Sequence, residues 1–112
     1  MPKPQFKDDP LYELLRRGDV AAFNDARAQG RQADLRGADL RSADLRHLDA
    51  KGLDLSDCYL RQADLRGLDL SEARLEGASI YGARISGTLF PTELRAEEIT
   101  LSLLHGTRMR YG

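Results

Sequence analysis

The chain has 112 residues, 41% of them apolar, and its 17 basic and 18 acidic residues leave a net charge of −1. This length supports one domain with one core, and the balance of charge argues against attraction to nucleic acid or membranes through bulk charge. The sequence shows no long apolar run, no apolar signal core at its start and only one cysteine, which argues against a membrane helix and excludes an internal disulfide. We therefore expect a cytoplasmic protein without a membrane partner.

Residues 1–32 predict a short arm followed by two helices. Residues 1–8 contain two prolines and are expected to form a loose arm. Asp9 before Pro10 is a helix-start signal, because the carboxylate accepts free amide hydrogens and proline presets φ. Asp19 is placed to start a second helix, and a glycine follows each helix. We expect this helical pair to cover the first coil of the segment that follows, where apolar core and strand edges would otherwise be exposed.

Residues 33–92 repeat every five residues, as twelve quintets of which the first three are ADLRG, ADLRS and ADLRH. The central position of the quintets, called the centre below, is apolar throughout: Leu35, Leu40, Leu45, Ala50, Leu55, Leu60, Leu65, Leu70, Leu75, Ile80, Ile85 and Phe90. The position two residues earlier, called the minus-two position, is mostly alanine or leucine: Ala33, Ala38, Ala43, Leu48, Leu53, Cys58, Ala63, Leu68, Ala73, Ala78, Ala83 and Thr88.

A period of five residues fits neither a helix nor a flat strand. An α-helix would turn successive centres by about 500° and scatter them around its axis. A flat strand would send successive centres to opposite faces. The pattern is satisfied by a chain that bends once per quintet, so that every centre and every minus-two side chain points inward. Such a unit cannot bury its apolar side alone, and its coils must therefore stack as a solenoid.

The quintets, with A-D-L-x-x as their recurrent form, resemble those of the pentapeptide repeat proteins over residues 33–92. The resemblance implies an all-β solenoid, a right-handed quadrilateral β-helix with four quintets per coil and therefore about three coils. Together with the flanking segments it gives one domain in three parts: an N-terminal arm and helical cap over 1–32, the repeats over 33–92, and a C-terminal capping helix and tail over 93–112.

The residues before and after each centre are expected to point outward and to form the surface. Five quintets place an acid and a base at these two positions: Asp34 with Arg36, Asp39 with Arg41, Asp44 with Arg46, Asp49 with Lys51, and Asp64 with Arg66. Residues twenty apart should stack, which places Asp54 beside Arg74 and Asp64 beside Arg84. Two adjacent sides carry an acidic excess and form the candidate partner surface: Asp34, Asp49, Asp54, Asp57, Asp69, Glu72 and Glu76. The other two sides carry a basic excess: Arg41, Arg46, Arg61, Arg66 and Arg84.

Residues 93–112 predict a C-terminal helix. The helix would present one rough apolar stripe, formed by Leu94, Ile99, Leu103 and Leu104, and Gly106 would lie just past its end. The alternative is a hairpin, because residues 99, 101 and 103 are alternating apolar positions and His105-Gly106 could form a two-residue turn. Either element would close the last coil. Its spare apolar residues would suit a homodimer, and some pentapeptide repeat proteins dimerise through a C-terminal element.

The sequence does not assemble a catalytic, metal or cofactor site, so we expect no enzyme and no cofactor. His47 and His105 lie far apart in the chain, and Cys58 occupies a minus-two position, where a thiol behaves as a small hydrophobe. The glycines that end quintets suit turns and form no phosphate-binding loop.

Two functions from different classes remain in contention. The first is a non-catalytic protein-interaction module with an unknown protein partner. The second, raised by the family resemblance, is a DNA mimic that acts on a type II topoisomerase such as gyrase, although the outward arginines count against it. Direct nucleic-acid binding ranks third, because aspartates alternate with those arginines and exposed aromatic residues for stacking are scarce.

Overall fold

The computed structural model describes residues 3–112, and the structural statements below concern those residues. It contains three helices, α1 (Pro10–Arg16), α2 (Val20–Ala28) and α3 (Ala96–His105). The β structure within residues 3–112 consists of isolated parallel bridges rather than continuous strands. Nearly all of these bridges join residues twenty apart, as between Asp39 and Tyr59 and between Tyr59 and Ser79.

The twenty-residue offset arranges the quintets in four columns, named here by their order in the chain. Column 1 is centred on Leu35, Leu55 and Leu75, column 2 on Leu40, Leu60 and Ile80, column 3 on Leu45, Leu65 and Ile85, and column 4 on Ala50, Leu70 and Phe90. Backbone hydrogen bonds join successive members of a column: the Leu40 N–H donates to the Tyr59 carbonyl at 2.9 Å. The expected neighbours Asp54 with Arg74 and Asp64 with Arg84 are both bridged.

The centres and the minus-two residues form the core, as the quintet register predicts. Every centre from Leu35 to Ile80 is buried, and so is every minus-two residue from Ala38 to Ala83. Side chains near the two ends of the repeat, Ala33, Ile85 and Phe90, are only partly buried but pack against this core. The core therefore extends along the repeats and thins at its margins.

The bend in each quintet comes from its last residue, which in most quintets has a positive φ. Six of these residues are glycines, and four are not: Ser42, His47, Asp57 and Gln62. A positive φ costs a residue with a Cβ roughly 1–2 kcal/mol. Glycine avoids this cost and is needed most where neighbouring atoms also leave no room for a Cβ. Gly77 is such a place, because a Cβ there would collide with the Asp57 carboxylate.

The two N-terminal helices begin where the sequence predicts. The Asp9 carboxylate accepts the Leu11 N–H at 2.8 Å, and the Asp19 carboxylate accepts the Ala22 N–H at 3.1 Å. Each carboxylate thus satisfies an amide that has no partner inside its helix. The glycines that follow the helices, at 18 and 30, have φ of 79° and 90°.

Polar side chains of α1 and α2 form hydrogen bonds with backbone groups of the second, third and fourth quintets. The Tyr12 hydroxyl donates to the Asp39 carbonyl at 2.7 Å. The Asn24 side chain donates to the His47 carbonyl at 2.9 Å and accepts the Asp49 N–H at 3.0 Å. Its amide group thus supplies the donor and the acceptor that a paired strand would supply. Because an unpaired backbone group away from water is costly, these contacts attach both helices to the repeats.

The predicted loose arm is wrong for the part of it that the structure describes; Met1 and Pro2 lie outside the described residues. Gln5 pairs with the start of column 2: its N–H donates to the Gly37 carbonyl at 3.1 Å, and its carbonyl accepts the Asp39 N–H at 2.8 Å. Lys7 lies 3.5 Å from the Asp34 carboxylate. Any residue can supply backbone bonds to an open edge, which explains why the sequence of the arm gave no sign of this pairing.

At the other end the structure contains the predicted helix rather than the hairpin. α3 ends at His105, and Gly106, with φ of 74°, lies just past its end, as the sequence predicts. The predicted apolar stripe is wrong in part, because Leu104 is 59% exposed while Glu98 and Ser102 are buried. The reason is that α3 faces a polar edge: Ser102 Oγ accepts the Ile80 N–H at 3.0 Å, and Glu98 accepts the Arg110 N–H at 2.8 Å.

The tail after α3 adds a further pairing that the sequence did not indicate. Met109 is fully buried, its N–H donates to the Ala78 carbonyl at 2.9 Å, and its carbonyl accepts the Gly77 N–H at 2.6 Å. The Tyr111 hydroxyl accepts the Leu75 N–H at 2.9 Å. Column 2 is therefore paired beyond both its ends, with Gln5 before its first quintet and Met109 after its last.

Candidate functional site on the coil surface

Three quintets hold an aspartate and an arginine on the same turn. The Asp64 carboxylate accepts the Arg66 backbone N–H at 3.2 Å, its Nε–H at 2.9 Å and an Nη2–H at 2.7 Å. The same set of contacts recurs in the pairs Asp39 with Arg41 and Asp44 with Arg46. Each carboxylate therefore closes its turn and neutralises the guanidinium two residues later.

These contacts lower the pKa of the carboxyl groups. The hydrogen bond from the Arg66 guanidinium is the largest cause of the shift at Asp64, and it takes that pKa to about 2. The Arg41 and Arg46 guanidiniums lower the pKa of Asp39 and Asp44 in the same way. The aspartates of these three quintets are therefore charged throughout the neutral range but are not free to attract a basic partner.

The residue before the centre was expected to form the surface, and this is wrong at both ends of column 2, where the terminal segments cover it. Asp39 and Ser79 are buried, at 2% and 5% exposure. Asp39 lies beneath the N-terminal segment, where Tyr12 and Gln5 bond its backbone. Ser79 lies beneath the C-terminal segment, and its hydroxyl is 3.4 Å from the Gly106 carbonyl oxygen. Where the terminal segments cover the repeats, an outward position becomes an interior one.

Two of the five predicted acid–base quintets form no ion pair of their own within residues 3–112. Asp34 pairs with Lys7, and Arg36 lies 3.6 Å from Asp54 in the next coil. The Asp49 carboxylate accepts only the backbone N–H of Lys51, at 3.2 Å, within residues 3–112. An acid and a base two residues apart therefore form an ion pair only in the three quintets whose arginine side chain folds back over the turn.

The seven residues of the candidate partner surface fall into two groups. Column 1 holds Asp34, Asp54, Asp57 and Glu76, and column 4 holds Asp49, Asp69 and Glu72. In column 1 three carboxylates lie beside bases, namely Lys7, Arg36 and Arg108. A cavity of about 200 Å³ there is lined by three of the acids together with Arg36 and Arg74. The charge of this group is therefore largely balanced.

The column 4 group is more strongly acidic. Asp49, Asp69 and Glu72 are exposed, and none of them forms an ion pair within the described part of the chain. They line a cavity of about 220 Å³, in which Lys51 is the one base among the lining residues. The hydroxyl of Ser71 is the first cause of a lowered pKa at Asp69, so this carboxyl stays ionised. We call Asp49, Asp69 and Glu72 the column 4 acidic surface.

Arg108 is a residue of the surface that sequence reasoning missed. Its Nη1 donates to the Gly77 carbonyl at 2.8 Å and lies 3.4 Å from Asp57, and its Nη2 donates to the Tyr59 hydroxyl at 2.6 Å. Its guanidinium carbon lies 5.0 Å from the centre of the Tyr59 ring. Arg108 follows α3 in a segment without repeats, and no periodic signal could have placed it beside column 1.

The reactive residues lie apart from one another. Cys58 is fully buried, its thiol donates to the Leu35 carbonyl, and burial raises its pKa to about 12. His47 lies on a turn at the end of a column 3 quintet, whereas His105 ends α3, and both are exposed. Within residues 3–112 no three His, Cys, Asp or Glu side chains are grouped so that they could hold a metal ion.

The fold is that of a repeat protein with its charged groups on the outside. The quintet centres point inward, most quintets end in a turn, and residues twenty apart are in contact. The family model described as Pentapeptide repeats matches residues 23–58 and 54–90 with eight copies, and the chain belongs to this family. Comparison with curated proteins and with solved structures gave no match. None of the helices within residues 3–112 has the length and apolar character needed to cross a membrane.

Proposed function

We propose that the chain is a non-catalytic protein-interaction module built on a right-handed quadrilateral β-helix of three coils. The bridges between residues twenty apart support four quintets per coil. The contacts of α1, α2 and α3 with free backbone groups support a capping role for residues 1–32 and 93–112 on the repeats of 33–92. Proteins of the pentapeptide repeat family are in general non-catalytic. The single cysteine suits a cytoplasmic location.

The column 4 acidic surface carries the proposal. Its three carboxylates are exposed and lack ion pairs within residues 3–112, whereas the aspartates of three other quintets are neutralised by their own arginines. Unbalanced charge on a rigid surface attracts a partner of opposite sign and raises the rate of encounter. The partner is accordingly a protein that presents a basic patch to this surface.

Neutralising the column 4 acidic surface tests the proposal. The variant combines Asp49→Asn, Asp69→Asn and Glu72→Gln, in which the amide oxygens can still accept the turn N–H groups of Lys51 and Ser71. We expect the tagged wild type to capture a protein partner from a lysate of its source, and the variant to lose that protein. Capture should also weaken at high salt, since exposed charges are screened.

A matched control removes the same amount of charge elsewhere. Asp8→Asn, Glu13→Gln and Asp25→Asn alter three exposed acids of the N-terminal segment. This control should capture the partner as well as the wild type does. Equal capture by the wild type and the column 4 variant would contradict the proposal.

The second candidate is a DNA mimic that acts on gyrase, and the column 4 acidic surface is the one feature that favours it. Outward arginines such as Arg46, Arg61 and Arg66 count against it, because a DNA-binding groove is itself basic. We expect no effect of the purified protein on supercoiling by purified gyrase. Inhibition that disappears in the column 4 variant would instead place the DNA mimic first.

A further inference from the structure

A second concave surface lies where the N-terminal segment meets column 2. It is a cavity of about 510 Å³ whose lining includes Phe6, Arg16, Arg41, Arg61, Gln62 and Tyr81. Binding sites for small ligands have volumes of roughly 300–1,000 Å³, so this cavity is large enough for one. The twenty-residue offset brings Arg41, Arg61 and Tyr81 together, but nothing in the repeat predicts that Phe6 and Arg16 lie beside them.

The cavity carries positive charge that the protein does not balance. Three arginines and one acid, Asp39, line it. Asp39 is buried and both of its carboxylate oxygens bond Arg41, at 2.9 and 2.7 Å, so its charge is already neutralised. Arg16 donates to the Arg41 carbonyl at 2.8 Å, and neither Arg16 nor Arg61 contacts a carboxylate within residues 3–112. Two guanidiniums thus remain available to an anion.

Two aromatic side chains accompany these guanidiniums. Phe6 is 74% exposed and Tyr81 is 38% exposed. The guanidinium carbon of Arg61 lies 4.8 Å from the centre of the Tyr81 ring. Exposed rings beside arginines are the combination by which proteins stack on bases while they hold phosphates. Exposed aromatic residues are scarce, as expected, but the two that are exposed within residues 3–112 both line this cavity.

We propose that this cavity binds a nucleotide unit, with its phosphate on Arg16 and Arg61 and its base against Tyr81 or Phe6. An acidic peptide would use the guanidiniums but has no need of two exposed rings, whereas a nucleotide uses both. The unit can come from a free mononucleotide or from a single strand, since both supply a base and a phosphate. This site is separate from the column 4 acidic surface and does not depend on the function proposed for it.

Titration of the isotope-labelled full chain with AMP, followed by NMR, tests the site. We expect saturable shifts at the amides of Arg61, Gln62 and Tyr81, with a dissociation constant on the order of 1 mM or below. Adenosine and inorganic phosphate should each bind at least about tenfold more weakly, because each supplies half of the contacts. A tetranucleotide that binds more tightly than AMP at the same residues would identify a strand as the source; equal affinity would identify the mononucleotide.

Two variants test the phosphate contact and the base contact separately. Arg61→Gln and Tyr81→Leu should each weaken AMP binding about tenfold, while Arg74→Gln, which alters an exposed arginine of column 1, should leave it unchanged. Thermal unfolding shows whether each variant is folded, and the comparison of AMP with adenosine and phosphate needs no variant. Absence of saturable shifts with both AMP and the tetranucleotide would overturn the proposal. So would wild-type affinity in Arg61→Gln, or displacement of AMP by a glutamate-rich peptide that binds more tightly.

Discussion

The residue that stands two places after an aspartate decides whether that aspartate contributes charge to the surface. Where an arginine follows, as at Arg66, the guanidinium folds back and cancels the charge of Asp64. Where a serine follows, as at Ser71, its hydroxyl and N–H both donate to Asp69, which closes the turn and leaves the negative charge exposed. Column 1 departs from this rule, because Arg36 lies beside Asp54 of a D-L-S quintet and its own Asp34 pairs with Lys7.

The lowered pKa values of the aspartates predict that the protein loses stability in acid. The pKa is about 2 for Asp64 and is lowered for Asp39 and Asp44, whereas an unfolded aspartate titrates near about 3.9. The folded state therefore binds fewer protons than the unfolded state between these values. The stabilisation is complete above the unfolded pKa and is lost as the pH falls through the folded pKa.

Urea unfolding at a series of pH values measures this loss. We expect the free energy of unfolding to be nearly constant from about pH 7 to pH 5 and to fall steadily between pH 5 and pH 2. The decline should be shallower in Asp64→Asn, which removes one of the titrating groups. A free energy that does not change below pH 5 would show that these carboxylates are not held by their arginines.

The register of the quintets predicts losses of very different size for substitutions at two neighbouring residues. Leu60 is fully buried at the centre of column 2, so Leu60→Ala should cost roughly 2–5 kcal/mol of unfolding free energy. Arg61 is exposed, and Arg61→Ala should cost less than about 1 kcal/mol. Denaturant unfolding compares the two. Losses of the same size would mean that the register is displaced.

At the scale of the elements, the helices and terminal segments form hydrogen bonds with backbone groups at the ends of the repeats. Asn24 and Ser102 bond backbone groups of the coils with their side chains, and Gln5 and Met109 do so with their backbones. An edge strand left open invites pairing with another chain. The two ends of column 2 are thereby protected by the chain itself.

The apolar residues that α3 leaves exposed predict self-association. Leu101 and Leu104 are 41% and 59% exposed, and Leu89 of column 4 is also exposed. We expect the intact chain to form dimers in sedimentation experiments over a concentration series, and Leu104→Glu to remain monomeric, because a charge cannot be buried in an apolar contact. Ala21→Glu, an exposed change on α2, is the control. A wild type that stays monomeric at high micromolar concentration would exclude a role of residues 93–112 in dimer formation.

At the scale of the whole molecule, the sequence predicts what repeats and misses what does not. The five-residue period predicts the buried centres, and the family resemblance implies the neighbours twenty residues apart. It also places seven acids outside the core, but it does not show that Arg36 and Arg108 balance part of column 1. The basic cavity was missed for the same reason, because Phe6 and Arg16 reach column 2 from a segment without periodicity.

Every surface described above depends on the twenty-residue offset between neighbouring quintets, and engineered disulfides test this offset most directly. Parallel neighbours lie about 4.8 Å apart, within the roughly 4.4–6.8 Å between Cα atoms that a disulfide spans. One variant combines Asp54→Cys with Arg74→Cys, a bridged pair twenty residues apart, and the other combines Asp54→Cys with Asp69→Cys, which belong to different columns. Both variants also carry Cys58→Ala, because the buried thiol, with a pKa of about 12, is unreactive in the folded protein but becomes exposed in urea.

Mass spectrometry of the cross-linked peptides after mild oxidation gives the result. In the folded protein we predict a disulfide between positions 54 and 74 and none between positions 54 and 69. In urea the two variants should cross-link at similar rates, because closing a loop of fifteen or twenty residues differs little in entropy. Cross-linking of the folded 54–69 variant in preference to the 54–74 variant would contradict a coil of twenty residues and, with it, the column 4 acidic surface.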